Sequence, residues 1–566
     1  MYDNKQVIVI IPARGGSKAI PKKNIRFLGD KPLVAHVINS VKKSQYVDKI
    51  LVSTDDSKIQ FIAQKYGVSV SFRSSELAGD DVPLDPVIYD AVTREEKKLM
   101  DEFDLVFTIQ PTSPLLKSST LDQAIEKIVS EDLDTIISVV DSRALRWGLD
   151  EENGSFYPLY EERLNRQYLP KVFKETGAIL GTKRKFIKED SRIGDNVGVI
   201  EVSREESVDI DNYEDWWVAE KLLNKKRIII KTDSTNIIGT GHIFRCLSFA
   251  SKLTNHEVVF LLDDNKPIGI ELVSKENYSI ITHNGDNDLI EKILDFNPDI
   301  VVNDILDTDV DYMGQLKDLG YFIINFEDIG PGVQYANLVF DALYENESNI
   351  PNVYSGPDYY MLRGEFYYHS FKYVQEEVNE VLLTFGGTDP NNLTEKTLDA
   401  IIESGFDKSI TVILGIGYKD KNGIKNKYEN NINVRIFENV KNISDYMAAA
   451  DLIFTSAGRT MYEVASLAVP CVCICQNERE MTHSFGVREN GFINMGLGEN
   501  LQKEDITNVF LEIIEDYSLR LKLSESMKLV DLKHGYENIM NVLRINYKAF
   551  MREKELETGK KGNFHF

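Results

Sequence analysis

Short apolar runs alternate with amphipathic stretches along the whole chain. The runs are almost continuous in aliphatic and aromatic residues, which is typical of strands buried on both faces of a parallel sheet. The stretches between them have the spacing of helices that pack on such a sheet. The predicted strands cover residues 7–11, 49–53, 105–109, 135–140, 227–230, 258–262, 300–302, 322–325, 381–385, 410–414, 452–455 and 471–475. The predicted fold class is therefore α/β, with more than one doubly wound sheet.

The alternation restarts twice, and each restart suggests a boundary. A closing helix at 216–223 and the polar joint Asn224-Lys225-Lys226 precede one fresh strand, and the acidic stretch 375–380 precedes another. At ~150 residues per domain, 566 residues correspond to roughly three to four domains. The predicted organisation is a domain at 1–225, a second unit with halves at 226–370 and 371–550, and a flexible, charged tail at 551–566.

Charge is distributed unevenly. The chain has a formal net charge of −25, whereas residues 1–50 contain ten Lys or Arg against three Asp. A basic segment on an acidic chain indicates an anionic ligand at that end. Nucleic acid is the alternative, but no long basic stripe with interleaved aromatics is found, and DNA and anionic membranes repel so acidic a chain. No apolar run reaches the ~18 residues of a membrane span and no signal peptide precedes the first strand, so a cytoplasmic protein is expected.

Three of the four cysteines indicate core packing rather than metal or redox chemistry. Cys471, Cys473 and Cys475 alternate on one predicted strand, so they share one face of it. A metal or redox site is the alternative, but no His or Cys cluster accompanies them. We expect these thiols to be part of a core.

The loop after the first strand is suited to a polyphosphate. Gly15 and Gly16 let the backbone turn tightly, and Ser17 and the exposed amides can point at phosphate oxygens. The loop is not a Walker A motif, which needs a different glycine and lysine spacing. Its basic side chains are Arg14, Lys18, Lys22 and Lys23.

Further motifs follow in a recognisable order. They are Val52-Ser53-Thr54-Asp55-Asp56, Arg73-Ser74-Ser75-Glu76-Leu77-Ala78, Gln110-Pro111-Thr112-Ser113-Pro114-Leu115, Arg166-Gln167-Tyr168-Leu169-Pro170 and Asp209-Ile210-Asp211. With the loop, they make residues 5–223 resemble the CMP-sialic acid synthetases, which are cytidylyltransferases acting on nonulosonic acids. The resemblance implies a doubly wound nucleotidyltransferase fold, a homodimer formed through this domain, and attack of a sugar hydroxyl on the α-phosphate of CTP.

The resemblance also assigns roles to residues. Positioning and charge neutralisation dominate such a reaction, because the protein has little covalent work to do. The implied triphosphate ligands are Arg14, Ser17 and Lys22, with Arg14 and Lys22 also catalytic. The implied cytosine contacts are Asn24 and Arg73. The implied sugar contacts are Gln110 and Arg166, since an arginine suits a sugar carboxylate, and Lys174 is a further predicted substrate-binding residue.

Asp209 and Asp211 are the predicted metal ligands. An isolated Asp-x-Asp is more often a solvated loop, but the upstream motifs favour function here. On an extended segment both carboxylates fall on one side. Mg²⁺ is typically held by one or two carboxylates together with substrate phosphates, so Mg²⁺ is the expected cofactor.

The second unit opens with a strand, a glycine-rich stretch and a histidine. Gly241 and His242 stand where a helix would begin, so the imidazole would face the mouth of a cleft. A helix N-terminus disfavours a cation, so a neutral His242 could act as a base. A hydrogen-bonded structural histidine is the alternative. Further motifs are Phe326-Glu327-Asp328 and Thr384-Phe385-Gly386-Gly387-Thr388-Asp389-Pro390. With them, residues 227–545 resemble the UDP-sugar hydrolase of pseudaminic acid biosynthesis, a relative of the glycosyltransferase B fold with two Rossmann domains. The resemblance implies that His242 activates water, and Gly241 is a predicted substrate-binding residue.

The last half has its own nucleotide motif at 456–463. Amides of Gly458 to Thr460 could bind a pyrophosphate at a helix N-terminus. Glu463 could accept hydrogen bonds from ribose hydroxyls, or it could be an ordinary solvated helix residue. The related hydrolases usually have Gly-Gly-Ser or a similar sequence where this chain has Ala457-Gly458-Arg459.

The sequence therefore predicts a bifunctional enzyme of nonulosonic acid biosynthesis. One unit would hydrolyse a UDP-linked 2,4-diacetamido-2,4,6-trideoxyhexose, a separate synthase would convert the freed sugar, and the other unit would activate the product with CTP. Pseudaminic acid is favoured, and legionaminic and N-acetylneuraminic acid are the alternatives. The second unit could instead be a regulatory module that binds a nucleotide sugar, or a glycosyltransferase.

Overall fold

The computed structural model describes residues 2–17, 19–79, 81–233, 241–285, 288–345, 350–438, 440 and 442–558. The chain divides into two compact units, Met1–Asn224 and Lys225–Phe566. The polar joint noted in the sequence lies at this division. Each unit is described separately below.

Unit 1 is built on one seven-stranded sheet with the order β11-β7-β10-β6-β1-β4-β5. All neighbouring pairs are parallel except those of β10, which runs antiparallel to β6 and β7. The strands of this sheet are β1 Val7–Pro12, β4 Lys49–Thr54, β5 Ser69–Phe72, β6 Leu105–Thr108, β7 Thr135–Asp141, β10 Phe173–Lys183 and β11 Val197–Glu201. Two separate two-stranded sheets are formed by β2 Phe27–Leu28 with β3 Lys31–Pro32 and by β8 Trp147–Leu149 with β9 Phe156–Pro158.

Helices cover both faces of this sheet. They are α1 Leu33–Val41, α2 Ser57–Lys65, α3 Leu84–Leu99, α4 Ser118–Ser130 and α5 Tyr213–Leu223. Helix α5 closes the unit and begins with a capping box in which the side chains of Asn212 and Asp215 each accept a hydrogen bond from the other's backbone amide.

The first half of unit 2 is a fully parallel sheet with the order β14-β13-β12-β15-β16-β17-β18. Its strands are β12 Arg227–Thr232, β13 Glu257–Asp263, β14 Ser279–His283, β15 Ile300–Asp304, β16 Phe322–Phe326, β17 Leu338–Asp341 and β18 Val353–Ser355. Its helices are α6 Gly241–Ala250, α7 Pro267–Lys275, α8 Leu289–Phe296 and α9 Val310–Asp318.

The second half of unit 2 is another parallel sheet, with the order β21-β20-β19-β22-β23-β24. Its strands are β19 Glu380–Thr384, β20 Ser409–Leu414, β21 Val434–Glu438, β22 Leu452–Ser456, β23 Cys471–Cys475 and β24 Phe492–Leu497. The remaining helices are α10 Leu393–Glu403, α11 Lys421–Tyr428, α12 Ile443–Ala449, α13 Thr460–Leu467, α14 Glu478–Met481, α15 Lys503–Glu515, α16 Tyr517–Lys528 and α17 Gly535–Thr558. The predicted class, a doubly wound unit followed by a glycosyltransferase B-like pair of Rossmann sheets, is confirmed.

The two halves of unit 2 exchange segments across the division predicted at residue 370. Tyr360, Leu362 and Phe366 precede the predicted division at 370 but lie in the core of the second half. Helix α17 follows the second half but packs its residues Ile539 and Leu543 into the core of the first. The predicted flexible tail from residue 551 is also wrong up to Thr558, because these residues continue α17. Residues 559–566 lie outside the described part.

The three alternating cysteines behave as core residues. Cys471, Cys473 and Cys475 are fully buried, carry free thiols and pack in the core of the second half. No helix among the described residues is long and apolar enough to cross a membrane.

Candidate functional site

The site of unit 1 lies at the carboxyl edge of its sheet. Strands β4, β1 and β6 are parallel neighbours, so their carboxyl ends meet at one edge. The chain order reverses between β1 and β6, and open α/β sheets bind ligands at such a switch point. The phosphate-loop candidate follows β1, Asp55 and Asp56 follow β4, and Gln110 follows β6.

The loop after β1 is held in a tight conformation against β4. The Gly15 amide donates to Asp55 Oδ1 at 2.9 Å, and a Cβ on Gly15 would lie only 2.7 Å from Asp56 Oδ2. Asn24 Nδ2 donates to the Arg14 carbonyl at 2.9 Å, which closes the loop. Lys22 takes the left-handed conformation with φ +57°. Lys18, which was counted above among the basic residues of this loop, lies outside the described residues.

Asn24 and Arg73, the predicted cytosine contacts, are both buried. Asn24 Oδ1 has no hydrogen-bond partner among the described residues, so it can accept from a ligand. Arg73 donates through Nε to Ser53 Oγ at 3.0 Å and through Nη2 to the Ser53 carbonyl at 2.8 Å. Burial lowers the pKa of Arg73 to about 10, and the nearby Asp55 only partly opposes this. Ser17 is half-buried in the loop.

Backbone contacts bring the Asp209 segment to the same edge. The Ile210 amide donates to the Thr112 carbonyl at 2.9 Å, and Lys23 Nζ donates to the Ile210 carbonyl at 2.7 Å. Gln110 lies two residues before Thr112 and packs on Gly177, where a Cβ would be 3.0 Å from Gln110 Nε2. Gly177 has φ +70°, so both its conformation and its neighbour favour glycine.

The two aspartates differ in environment. Burial raises the pKa of Asp209, and its Oδ1 has no partner among the described residues. Asp211 is 77% exposed and lies 3.7 Å from Lys23 Nζ. No cluster of three or more His, Cys, Asp or Glu that could hold a metal occurs among the described residues. Two carboxylates with an open buried oxygen therefore fit Mg²⁺ only if phosphate oxygens complete its coordination.

Arg166 and Lys174 lie farther out on the surface. Arg166 is exposed and lines an open cavity of about 610 Å³ together with Ser142, Arg143 and Arg204. Lys174 is exposed on β10, where it pairs in register with Val140, another residue of that cavity wall. Of the predicted substrate contacts, Arg166 thus lines this cavity and Lys174 pairs with one of its wall residues, whereas Gln110 does not line it. The cavity also contains the arginines Arg143 and Arg204, to which the sequence analysis gave no role.

In unit 2, His242 begins a buried charge network. It occupies the second position of α6, its side chain is 11% exposed, and its Nδ1 hydrogen-bonds to Asp304 Oδ1 at the end of β15. Arg245 donates to the other Asp304 oxygen at 2.6 Å and approaches Glu327 Oε1 at 3.1 Å. Because a carboxylate only accepts, the proton of a neutral His242 lies on Nδ1 and its Nε2 is the basic nitrogen.

Opposing effects set the charge of this network. Burial alone would raise the pKa of Asp304, but the charges of Arg245 and His242 hold it below its usual range. Burial raises the pKa of Glu327, although Arg245 and then Arg459 oppose this. Asp304 is therefore a fixed anion beneath the imidazole. The sequence reasoning missed Asp304, although its position at the carboxyl end of a predicted strand was an available signal.

The nucleotide motif lies at the start of α13 in the second half. Thr460 is the first residue of α13, Arg459 is its N-cap and Gly458 precedes it, so this segment lies at the helix N-terminus, where amides have no partner inside the helix. Glu463 is 7% exposed, and its Oε1 accepts from Arg363 Nε at 2.6 Å. One carboxylate oxygen of the predicted ribose contact is thus already paired with an arginine.

The two motifs of unit 2 face each other. A Cβ on Gly241, the residue before His242, would lie 3.2 Å from Arg459 Cδ. Arg479 ties the halves together from α14, because it donates to Asp307 Oδ2 at 2.8 Å and to the Tyr344 hydroxyl at 2.6 Å. The residue before the histidine therefore lies against the nucleotide loop, and the place where the two motifs meet is called the cleft below.

Comparison with known proteins matches the two units separately. The cytidylyltransferase family profile matches residues 8–153, and the profile of the glycosyltransferase family 28 C-terminal domain matches residues 381–526. An uncharacterized protein of Methanocaldococcus jannaschii is 29% identical over 374 residues, which is 58% of this chain and 75% of that protein.

Two relatives align with about 40% of the chain and nearly their whole length. The post-translational flagellin modification protein B of Campylobacter coli is 30% identical over 231 residues, covering 40% of this chain and 98% of that protein. The CMP-N,N'-diacetyllegionaminic acid synthase of Legionella pneumophila is 31% identical over 233 residues, covering 40% of this chain and 100% of that protein.

Proposed function

The chain belongs to the cytidylyltransferase family, and we propose that unit 1 transfers CMP from CTP to a nonulosonic acid and releases pyrophosphate. The observation that carries this is the meeting of the phosphate loop, the buried Asn24 and Arg73, and the Asp209 segment at one switch point. The sugar hydroxyl would attack the α-phosphate while the bond to pyrophosphate breaks.

Each residue of unit 1 then has a positional task. Arg14, Ser17 and Lys22 would hold the triphosphate, and Asn24 Oδ1 would accept from the cytosine amino group. Mg²⁺, when bound by Asp209 and Asp211 with phosphate oxygens, would neutralise the charge of the triphosphate. Gln110, Arg166 and Lys174 would contact the acidic sugar.

The test of unit 1 is a pyrophosphate-release assay with CTP, Mg²⁺ and pseudaminic, legionaminic or N-acetylneuraminic acid. Pseudaminic acid is favoured by the resemblance of the second unit, whereas similarity to the Legionella synthase favours legionaminic acid as the second candidate. We expect Asp209→Asn to abolish the activity and Asp190→Asn, an exposed control, to keep it. Release with none of the sugars would contradict the proposal.

For unit 2, we propose hydrolysis of a UDP-2,4-diacetamido-2,4,6-trideoxyhexose. Water would attack the anomeric carbon, its proton would pass to His242 Nε2, and the bond between that carbon and the UDP oxygen would break. The products are the free sugar and UDP. The support is the His242–Asp304 pair opposite the nucleotide loop.

A glycosyltransferase is the second candidate for unit 2, because its last half matches a glycosyltransferase family profile. Incubation with UDP-2,4-diacetamido-2,4,6-trideoxy-altrose, a sugar of this class, distinguishes the candidate functions of unit 2. Release of UDP into water that His242→Ala abolishes supports hydrolysis. Release that needs an added acceptor supports transfer, and tight binding without release supports the regulatory module.

We also propose that unit 1 forms a homodimer. The β8–β9 hairpin exposes large apolar side chains, among them Trp147 at 54% and Phe156 at 71%. Such a patch is typical of an interaction surface. Light scattering should give twice the chain mass, and Phe156→Ser should reduce it toward that of one chain.

A further inference from the structure

Arg459 distinguishes this nucleotide loop from one made of small residues. It stands between Gly458 and Thr460 at the start of α13, and its Cδ lies against Gly241, beside His242. The side chain therefore extends from the loop of the second half toward the histidine of the first. A leaving diphosphate would occupy this region of the cleft if the proposed reaction takes place there.

A stack of aromatic rings fixes the Arg459 guanidinium. The guanidinium carbon lies 4.8 Å from the centre of the Tyr360 ring. Tyr360 stacks on Tyr462 with ring centres 4.2 Å apart, and Tyr462 stacks on Phe485 at 4.0 Å. Tyr462 covers one face of Tyr360, so Arg459 lies against the other. The Tyr360 hydroxyl also donates to the Arg459 carbonyl at 3.1 Å.

Arg459 differs from the other arginines of the cleft in its charge balance. Arg245 and Arg363 each form a salt bridge with a buried carboxylate, and Arg479 forms one with Asp307, which is 44% exposed. Within the described part of the chain, Arg459 forms no salt bridge; its guanidinium lies on the Tyr360 ring, and its charge acts on the buried Glu327 without forming an ion pair with it. A guanidinium held in place without a salt-bridge partner is prepared to meet an anion.

We propose that Arg459 contacts the diphosphate of the UDP-sugar on the side facing His242 and stabilises the charge on the departing UDP. This rests on the proposed function of unit 2. His242 Nε2 takes the proton of the water while Arg459 neutralises the oxygen released from the anomeric carbon. A fixed cation at the position where charge develops accelerates the step more than it strengthens substrate binding.

The test compares Arg459→Gln with Arg435→Gln, a matched change of an exposed arginine on β21. Calorimetric titration of the full chain with UDP should show at least about tenfold weaker binding for Arg459→Gln, and titration with uridine should show no change. The kcat of UDP release should fall by about 10²-fold with a smaller change in KM. Added guanidinium should restore part of the activity of Arg459→Ala. The control should match the wild type.

The outcomes separate this inference from the proposed hydrolysis. If the wild type binds UDP but releases none from the UDP-sugar, hydrolysis fails, and the UDP titration of Arg459→Gln still decides the diphosphate contact. Equal UDP affinity in wild type and Arg459→Gln would overturn the inference. So would an equal loss of UDP and uridine binding, because that would show general damage to the pocket, or a wild type that binds no UDP.

Discussion

At the scale of the residue, His242 depends on Asp304. The carboxylate holds the imidazole by Nδ1 and is itself fixed by Arg245, so Nε2 has one orientation in the cleft. Such a partner keeps the correct tautomer and stabilises the imidazolium that forms when the base takes a proton. The lowered pKa of Asp304 keeps this support negative throughout the physiological range.

We therefore predict that Asp304→Asn lowers UDP release by about 10²–10⁴-fold, because an amide can donate to Nδ1 and invert the tautomer. The pH profile should also change, which a purely structural role would not require. Asp311→Asn, an exposed change on α9, is the control. A kcat for Asp304→Asn within twofold of the wild type would exclude the orienting role.

A second residue-scale prediction concerns Glu480, which packs beside Gly458. Burial raises the pKa of this carboxyl from 4.5 to about 7. Between these values the unfolded state loses its proton while the folded state keeps it, so stability falls as pH rises from 4.5 to 7 and then stays lower. The loss amounts to about 3 kcal/mol.

The melting temperature of the wild type should drop between pH 5 and pH 8 by more than that of Glu480→Gln. Glu478→Gln changes an exposed neighbour and should leave the drop unaltered. An identical pH dependence of the melting temperature in Glu480→Gln and the wild type would show that ionisation of Glu480 does not destabilise the folded state.

Local sequence motifs identified functional residues whose partners are close in sequence. They missed residues whose partners are brought near only by the fold. Asn24 was singled out within its own loop, and it closes that loop by bonding to Arg14. Asp304 lies 62 positions from His242, and only the parallel pairing of β12 with β15 brings the two together. The sequence placed Asp304 at the carboxyl end of a predicted strand, but it did not show that this strand lies beside β12.

At the scale of the element, α17 is the least local feature of unit 2. It follows the second half but fills the core of the first, where Tyr547 contacts Phe322 with ring centres 5.2 Å apart. Continuous apolar runs predicted β12 and β23 well, because burial on both faces leaves an unambiguous pattern. Periodicity shows that α17 has an apolar face, but not which sheet that face covers.

We predict that Leu543→Ala destabilises unit 2 by about 2–5 kcal/mol, since Leu543 is fully buried and its loss leaves a cavity. Ile545→Ala on the same helix removes a side chain that is 70% exposed and should change stability little. The stability of both variants is measured by urea unfolding, with the loss of UDP release as the signal. Equal effects of the two variants would mean that α17 does not pack as described.

At the scale of the whole molecule, the chain is two compact units joined at Asn224 and Lys225. Each has its own sheets and its own core clusters. We predict that residues 1–224 and 225–566, produced separately, each fold and keep the activity assigned to them. Circular dichroism and the two release assays check this. Failure of either piece to fold alone would show that the units depend on each other.

The return of α17 to the first sheet of unit 2 has a consequence for how the chain is made. Ribosomes deliver a chain from its N-terminus at roughly 5–20 residues per second, and domains generally fold as they emerge. Unit 1 can be complete while the rest is still being translated. The sheet that begins at Arg227 must wait tens of seconds for Ile539 and Leu543 to cover its apolar face. Unit 2 is thus the part of this protein most exposed to chaperones and to aggregation during synthesis.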